Sequence, residues 1–434
     1  MSHQIAQDLL DFIDASPSPW HAVDSMVARL TAAGFTPLSE SEPWALAPGG
    51  RYYVIRDESS LIAFVAGTGP LARHGFRIVG AHTDSPGLRV KPNASHVSGP
   101  MVRLGVEVYG GPILATFTDR DLSLAGRVSV RTGKGPFDVA SRHVHFAEAL
   151  VRIPNLAIHM NRAVNDEGLK LHKQKELPMM LSVVQSELPA QRQFAALLGE
   201  QLAVDPDAIL AFELAVYDTQ KGAFFGPNRE FISDSQLDNL ASCHAGLSAL
   251  LDSLDQEATS TRVIAFFDHE EVGSTSAKGA DGSFLPDILE RIALSADLAR
   301  GEYKQALANS YLLSADMAHA YHPNYAEYYD AEHQAILNKG PVIKLNHNVR
   351  YASDSVSSAF FQQLCELANV PCQKYVHRTD IPCGSTIGPL TASNLGLRAV
   401  DVGNPMWSMH SIRESAGALD HGYMIKAMTQ FFHS

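Results

Sequence analysis

Residues 262–274, RVIAFFDHEEVGS, place two adjacent carboxylates, Glu270 and Glu271, directly after a continuous apolar run. Adjacent carboxylates can divide the labour of a hydrolytic metal site, one ligating the metal while the other takes a proton from water. Other ligand-type residues recur in the same setting. His82 closes the apolar stretch FRIVGAH, and Asp84 follows two residues later, the spacing of an imidazole ligand and an acceptor for its second ring nitrogen. Asp238 stands at the start of a helical pattern, Asp316 ends the apolar SYLLSAD, and His410 follows RAVDVG by a short segment. Taken singly, each has a structural explanation: a solvated Glu-Glu pair, a surface turn, an N-cap aspartate. Taken together, His82, Asp238, Glu271, Asp316 and His410 supply what a pair of zinc ions about 3.5–4 Å apart requires, with one carboxylate bridging. The two imidazoles favour zinc, cobalt or manganese over magnesium or calcium, which prefer all-oxygen shells.

The elements around these residues predict an α/β architecture. Val263 to Phe267 and the run Phe76, Ile78, Val79 read as strands covered on both faces, and catalytic groups collect at the carboxyl ends of such strands. Ahead of them, Ile5, Leu9, Phe12 and Ile13 share a helical face ended by Pro17-Ser18-Pro19. A second helix carries Val23, Met26, Val27 and Leu30, with Gly34 beyond its end, and residues 51–56 and 61–66 form a hairpin. From about residue 91 the pattern changes. Val102, Leu104, Val106 and Val108 alternate with polar or small residues, as in half-exposed antiparallel strands, and residues 161–175 form a polar loop. The α/β pattern resumes at Phe231, where Asp238 and Asn239 precede a helix whose apolar face is Leu240, Cys243, Leu247 and Leu250. The expected organisation is a discontinuous catalytic domain, 1–91 and 231–434, interrupted by a β-rich domain at 92–230.

Two features point to substrate binding. Lys344 lies inside the apolar strand PVIKLN, where a bare ammonium is costly without an anionic partner. The loop RTDIPCGSTIGP carries Gly384 into a helix start, an arrangement whose N–H groups can hold a carboxylate or carbonyl.

At 434 residues the chain exceeds the size at which one hydrophobic core stops growing, which predicts two domains. A net charge of −13 argues against nucleic acid or an anionic membrane as partner, and requires that any acidic substrate be attracted by local positive groups. The amino-terminal stretch lacks a basic start and a continuous apolar core, so no signal peptide is expected, nor a bilayer-spanning run. Cys243, Cys365, Cys372 and Cys383 have no CxxC spacing and read as reduced thiols of a cytoplasmic protein.

The motifs SPSPWHA, GAHTDSPGL, QLDNL, FDHEEVGS, SADMAHAYHPNY, GPVIKLN with RYAS, RTDIPCGSTIGP and MHSIRE occur in this order over nearly the whole chain. In them the sequence resembles the aspartyl aminopeptidase family of dinuclear zinc peptidases, relatives of the tetrahedral aminopeptidases. The resemblance implies a mixed-sheet zinc-peptidase domain with an inserted dimerisation domain, and assembly into tetrahedral dodecamers. It makes Asp238 the bridging carboxylate and puts His82 and Glu271 or Asp316 on separate metals. His410 completes the set, Glu270 is general base, and Asp84 orients His82. Lys344 falls where the family places a positive group for the substrate's acidic side chain, with Tyr351 and Gly384 beside it. In IPNLAIHMNR this chain has Asn155 where many relatives have histidine, so His159 alone carries over as the histidine that reaches into a neighbouring subunit's site.

The expected activity is therefore release of N-terminal residues, preferentially Asp or Glu, from peptides with a free amino terminus. Two other readings follow from the same features: a co-catalytic zinc carboxypeptidase or deacylase, which would cleave blocked substrates, and a non-catalytic assembly protein of the same fold. The presence of Glu270 with a full ligand set argues against the last.

Overall fold

The computed structural model describes residues 2–184 and 189–434. Its centre is a nine-stranded mixed sheet in the order Thr36–Pro37, Arg51–Arg56, Ser60–Val65, Thr261–Phe267, Phe76–His82, Tyr311–Ala315, Arg398–Gly403, Val342–Leu345, Gln373–Val376. Alternation along the buried strands explains its two-sided burial. Val79, Ile264, Leu313 and Val400 point into one core, covered by helices Ser2–Asp14, Pro19–Ala32, Leu237–Asp252, Ser355–Leu367 and Asp420–Phe432. Ile78, Val263, Leu312 and Ala399 point into the other, beneath Phe284–Ser295, Arg300–Ala308 and Ile387–Leu395.

Four central strands run parallel, and their register sets the site. Phe267 pairs with His82, and Ser314 pairs with both Gly80 and Asp401. The carboxyl ends of Phe76–His82, Thr261–Phe267 and Tyr311–Ala315 are therefore level, so the residues just past them meet above one edge of the sheet.

A six-stranded antiparallel sheet, ordered Val139–His145, Leu122–Arg131, Ile209–Asp218, Gly87–Ser98, Met101–Tyr109, Met179–Val183, has its own apolar core. Val102, Leu104 and Val106 are buried while the residues between them are only partly so, as the alternation requires. The segment 161–175 contains one helical turn, Val164–Glu167. The sheet begins at Gly87 and ends at Asp218. Ala223–Phe225 pairs instead with Phe231–Asp234 in a third, five-stranded sheet that also holds Glu414–Gly417, Pro405–Trp407 and Ala318–His319. In this small sheet Asp234 pairs with Glu414, and His319 with Met406, which draws the segments bearing Asp238, His410 and Asp316 together.

No helix among the described residues is long and apolar enough to cross a membrane. The four cysteines are free thiols.

Candidate metal centre and substrate pocket

His82 is the last residue of its strand and is fully buried. Its Nε2 lies 3.5 Å from Asp238 Oδ1 and 3.5 Å from Asp316 Oδ1. On the other side of Asp238, His410 Nε2 lies 3.4 Å from Asp238 Oδ2 and 3.5 Å from Glu271 Oε1. Asp238 thus faces an imidazole with each oxygen, between the groups His82–Asp238–Asp316 and Asp238–Glu271–His410. The structure brings together all five residues expected as ligands.

These separations are long for hydrogen bonds. They match the edge of a tetrahedron whose ligand atoms stand about 2.0–2.1 Å from a central zinc, which is about 3.3–3.4 Å. Asp238 Oδ1 is buried without a hydrogen-bond partner, an orphaned acceptor that a cation would satisfy. The donor set of imidazole nitrogens and carboxylate oxygens suits zinc, so the residues fit the metal.

Electrostatics point the same way. Without a cation, Asp84, Asp238, Glu270, Glu271 and Asp316 crowd one poorly solvated space. Burial pushes the Glu270 carboxyl up to about 8, helped by Asp316, Asp84 and Asp238 and opposed by His82. Burial and Asp238 drive Glu271 well above the usual carboxylate range. Although burial works against it, His82 is raised well above an ordinary imidazole by Asp238, Asp316 and Asp84. A site that takes up protons in this way is a site prepared for cations.

Asp238 is no N-cap. It and Asn239 have non-helical backbone angles within the stretch Leu237–Asp252, and its carboxylate turns toward the histidines. The backbone is anchored by three bonds: Glu414 Oε2 accepts from Asp238 N at 3.0 Å, Ser85 Oγ donates to Asp238 O at 2.6 Å, and Asn239 Nδ2 donates to Ala315 O at 2.9 Å.

Asp84 acts differently from the expected imidazole partner. His82 Nδ1 donates to the backbone carbonyl of Asp84 at 2.9 Å, whereas the Asp84 carboxylate is 3.4 Å away. That carboxylate accepts instead from Glu270 N and Glu271 N, each at 3.1 Å, and from the Tyr109 hydroxyl at 2.7 Å. The reason is positional: the tight turn after Phe267 points two free amides at it. Asp84 orients the Glu-Glu turn as well as the histidine.

Lys344, expected to face a substrate carboxylate, also has internal partners: the buried ammonium donates to Asp316 Oδ2 at 3.1 Å and to Met317 O at 3.0 Å. The nearby strand end supplies an internal anion that the apolar context of PVIKLN did not reveal. Tyr351 lies with its ring centre 5.2 Å from Lys344 Nζ, and its hydroxyl is 3.3 Å from Cys383 Sγ, next to Gly384. Gly384 is exposed, with open space where a side chain would start. His319, half-buried and depressed to about 4 by desolvation and by Lys344 and His377, lies near Tyr375 and His377. His159 is not part of this cluster. It sits in an exposed turn, and Asn155 fastens the start of that turn to Thr118 and Asp119.

Two contributions were not anticipated. Glu414, in MHSIRE, is 1% exposed and accepts from Asp238 N at 3.0 Å and from His410 N at 2.7 Å, so one carboxylate fixes the backbones of two candidate ligands. A lone acid opening a short strand of small residues was the available signal. The second is the segment after Met101–Tyr109, which comes from the β-rich sheet. Gly111 O accepts from His410 Nδ1 at 3.1 Å, and Ile113 N donates to His410 O at 2.9 Å. Gly110, at φ +65°, lies so close to Glu271 that a Cβ would come within 3.1 Å of that residue's Cβ. The glycine pair in YGG is the trace of this close approach.

Residues 12–432 match the family model described as aminopeptidase I zinc metalloprotease (M18). A probable M18 family aminopeptidase 2 of Ectopseudomonas mendocina is 50% identical over 439 residues, covering 100% of this chain and 99% of that protein. Among solved structures, the chain is similar to one in a cryo-EM structure of an Ape4 and Nbr1 complex, with TM-score 0.95 and 39% identity, covering 100% of this chain and 86% of that one. It is also similar to the S. cerevisiae mApe1 dodecamer, with TM-score 0.86 and 27% identity, covering 99% and 96%.

Proposed function

The chain belongs to the M18 family of aminopeptidases, a zinc metalloprotease family, and from that premise we propose that it releases acidic residues from the free amino terminus of peptides using two metal ions and Glu270 as general base. The observation that carries this reading is Asp238, whose two oxygens face His82 and His410 at 3.5 and 3.4 Å.

In the proposed arrangement His82, Asp238 and Asp316 would hold one zinc, and Asp238, Glu271 and His410 would hold the other. Zinc bound there would act as a Lewis acid on the scissile carbonyl and lower the pKa of water. Glu270, next to Glu271 on the turn fixed by Asp84, is placed to take the proton of the attacking water and return it to the leaving amine. A carboxylate of the site would receive the substrate's α-ammonium, which makes a free amino terminus a requirement.

Acidic preference is assigned to Lys344. Asp316 shares its charge between the lysine and the ligand cluster, and the ammonium has three donors, of which two are engaged. The third, beside Tyr351, is available to a substrate carboxylate.

We assign residues 92–230 as the dimerisation and lid domain of a homo-oligomer, a dodecamer by analogy with the S. cerevisiae assembly. Supporting this, the turn bearing His159 presents Leu156, Ile158 and Met160 to solvent, the last 75% exposed, as expected of a surface awaiting a partner. On this reading His159 enters the neighbouring subunit's site. The free thiols fit a reducing, cytoplasmic setting.

The test is hydrolysis of chromogenic Asp, Glu, Ala, Leu and Lys substrates, with an N-acetylated control, each with and without chelator. Chelator-sensitive cleavage of Asp and Glu substrates above the others is expected. Cleavage of the blocked substrate would instead favour a deacylase.

A further inference from the structure

We infer that a second cavity, in the six-stranded sheet and separate from the metal ligands, binds a small multivalent oxyanion of the phosphate type. It arises from a register shift between Val90 and Ser95, where strand Gly87–Ser98 leaves its pairing with Met101–Tyr109 and carries Lys91 to Ala94 out of the ladder. Gln174, Lys175 and Pro178 close the opposite side. The space is about 380 Å3, large enough for pyrophosphate or a phosphomonoester.

Its lining is one-sided in charge. Lys91, Arg103 and Lys175 reach it, with His96, Asn93 and Gln174 between them, and among the described residues no carboxylate does. His96 and Arg103 are directly opposed in the sheet, so both act on the same side of the space. Lys91 Nζ donates to Gln174 Oε1 at 3.0 Å, which orients the ammonium without neutralising it. Arg103 is the stronger signal. Its Nε is buried with no hydrogen-bond partner among the described residues. Elsewhere Arg29, Arg56, Arg127, Arg152 and Arg413 each meet a carboxylate, and the buried Arg262 meets the carbonyls of Ser253 and Gln256. A partly buried guanidinium without an anion is costly, and more conspicuous in a chain of net charge −13, where acids are plentiful. A guanidinium with two ammoniums around a space of this size matches a tetrahedral oxyanion carrying at least two negative charges.

Such an anion would tie strand Met101–Tyr109 to residues 174–178. These lead directly into Met179–Val183, where Met180 bridges to Arg152, shortly before the turn that carries His159. Occupancy would hold that segment against the sheet.

The experiment is isothermal titration of the zinc-loaded enzyme with inorganic phosphate and with pyrophosphate at constant ionic strength, alongside inhibition assays. Binding at zinc appears as inhibition, so the event sought is saturable and does not inhibit. Arg103→Gln should weaken it about tenfold or more, and Lys175→Gln, at an exposed position, several-fold. Both variants should keep wild-type aminopeptidase kinetics and assembly state. In wild type alone, phosphate should slow hydrogen exchange in residues 170–178. The proposal is overturned if wild type shows only inhibitory binding, or if both variants bind as wild type does. It is equally overturned if the variants fall apart while wild type binds no phosphate, because the cations would then hold an acidic side chain of a second copy.

Discussion

Glu414→Gln isolates the carboxylate that ties two ligands together. In the wild type its oxygens accept from Asp238 N and His410 N, and burial together with Asp238 pushes its carboxyl well above the usual range. That shift favours the protonated form of Glu414 in the metal-free protein, a form that glutamine resembles in shape and charge. Metal-free stability should fall only modestly, because the amide oxygen still accepts from one of the two backbone N–H groups while the amide nitrogen cannot accept from the other. Metal binding offsets the charge of Asp238 and lets Glu414 ionise, so the wild type gains two charge-assisted hydrogen bonds that glutamine cannot make. One such bond is worth about 1.5–3 kcal/mol, which agrees with the 10–100-fold loss of affinity, about 1.4–2.8 kcal/mol, common for groups behind metal ligands. Zinc affinity measured against a chromophoric chelator should fall by that factor, while the metal-free Tm stays within a few degrees. A variant that unfolds early without metal yet binds zinc normally would refute the reasoning and make Glu414 a packing residue.

Lys344→Met should lower kcat/KM for Asp and Glu substrates by about 1–3 kcal/mol more than for Leu substrates, and an equal loss would reject the lysine as the source of acidic preference. His143→Gln tests a link between the two large sheets. Asp24 and Glu58 raise His143 to about 9, above its unfolded value of about 6.5, so its contribution is full below about pH 6.5 and is lost as pH rises through about 9. The pair is half-exposed and worth under about 1 kcal/mol, so the variant should have a slightly lower Tm at pH 6 and an unchanged one at pH 10; a pH-independent difference contradicts this. Mixing dissociated His159→Ala and Glu270→Gln subunits and reassembling them should give activity above either parent. No recovery in confirmed mixed assemblies would remove His159 from the neighbour's site.

The candidate ligands His82, Glu271 and Asp316 were legible because each ends or shortly follows a continuous apolar strand. Phe267 and His82 end their strands where the apolar runs end, and the parallel register does the rest. What stayed hidden depends on distant partners. Asp238 looks like a helix cap until Glu414, 176 residues away, is placed behind it. The need of Lys344 for an anion could be read, but not that Asp316 on a nearby strand meets it. The region from 92 to 230 carries no ligand-type cluster, so nothing local announced that Gly111 would hold His410. Asp84 was placed beside His82 by spacing alone, and the orientation of its carboxylate was decided by the amides of a turn 186 residues later.

The central claim is that Glu270 moves the proton while its neighbour Glu271 holds metal, and paired glutamine variants test it most directly. Glu270→Gln should retain the zinc content of the wild type and lose about 10²–10⁴-fold in kcat, because an amide cannot accept the proton. Glu271→Gln should instead lose zinc, since a ligand charge is removed. Metal analysis and turnover measured on the same two preparations decide the matter. Near-wild-type kcat in zinc-loaded Glu270→Gln would contradict the account.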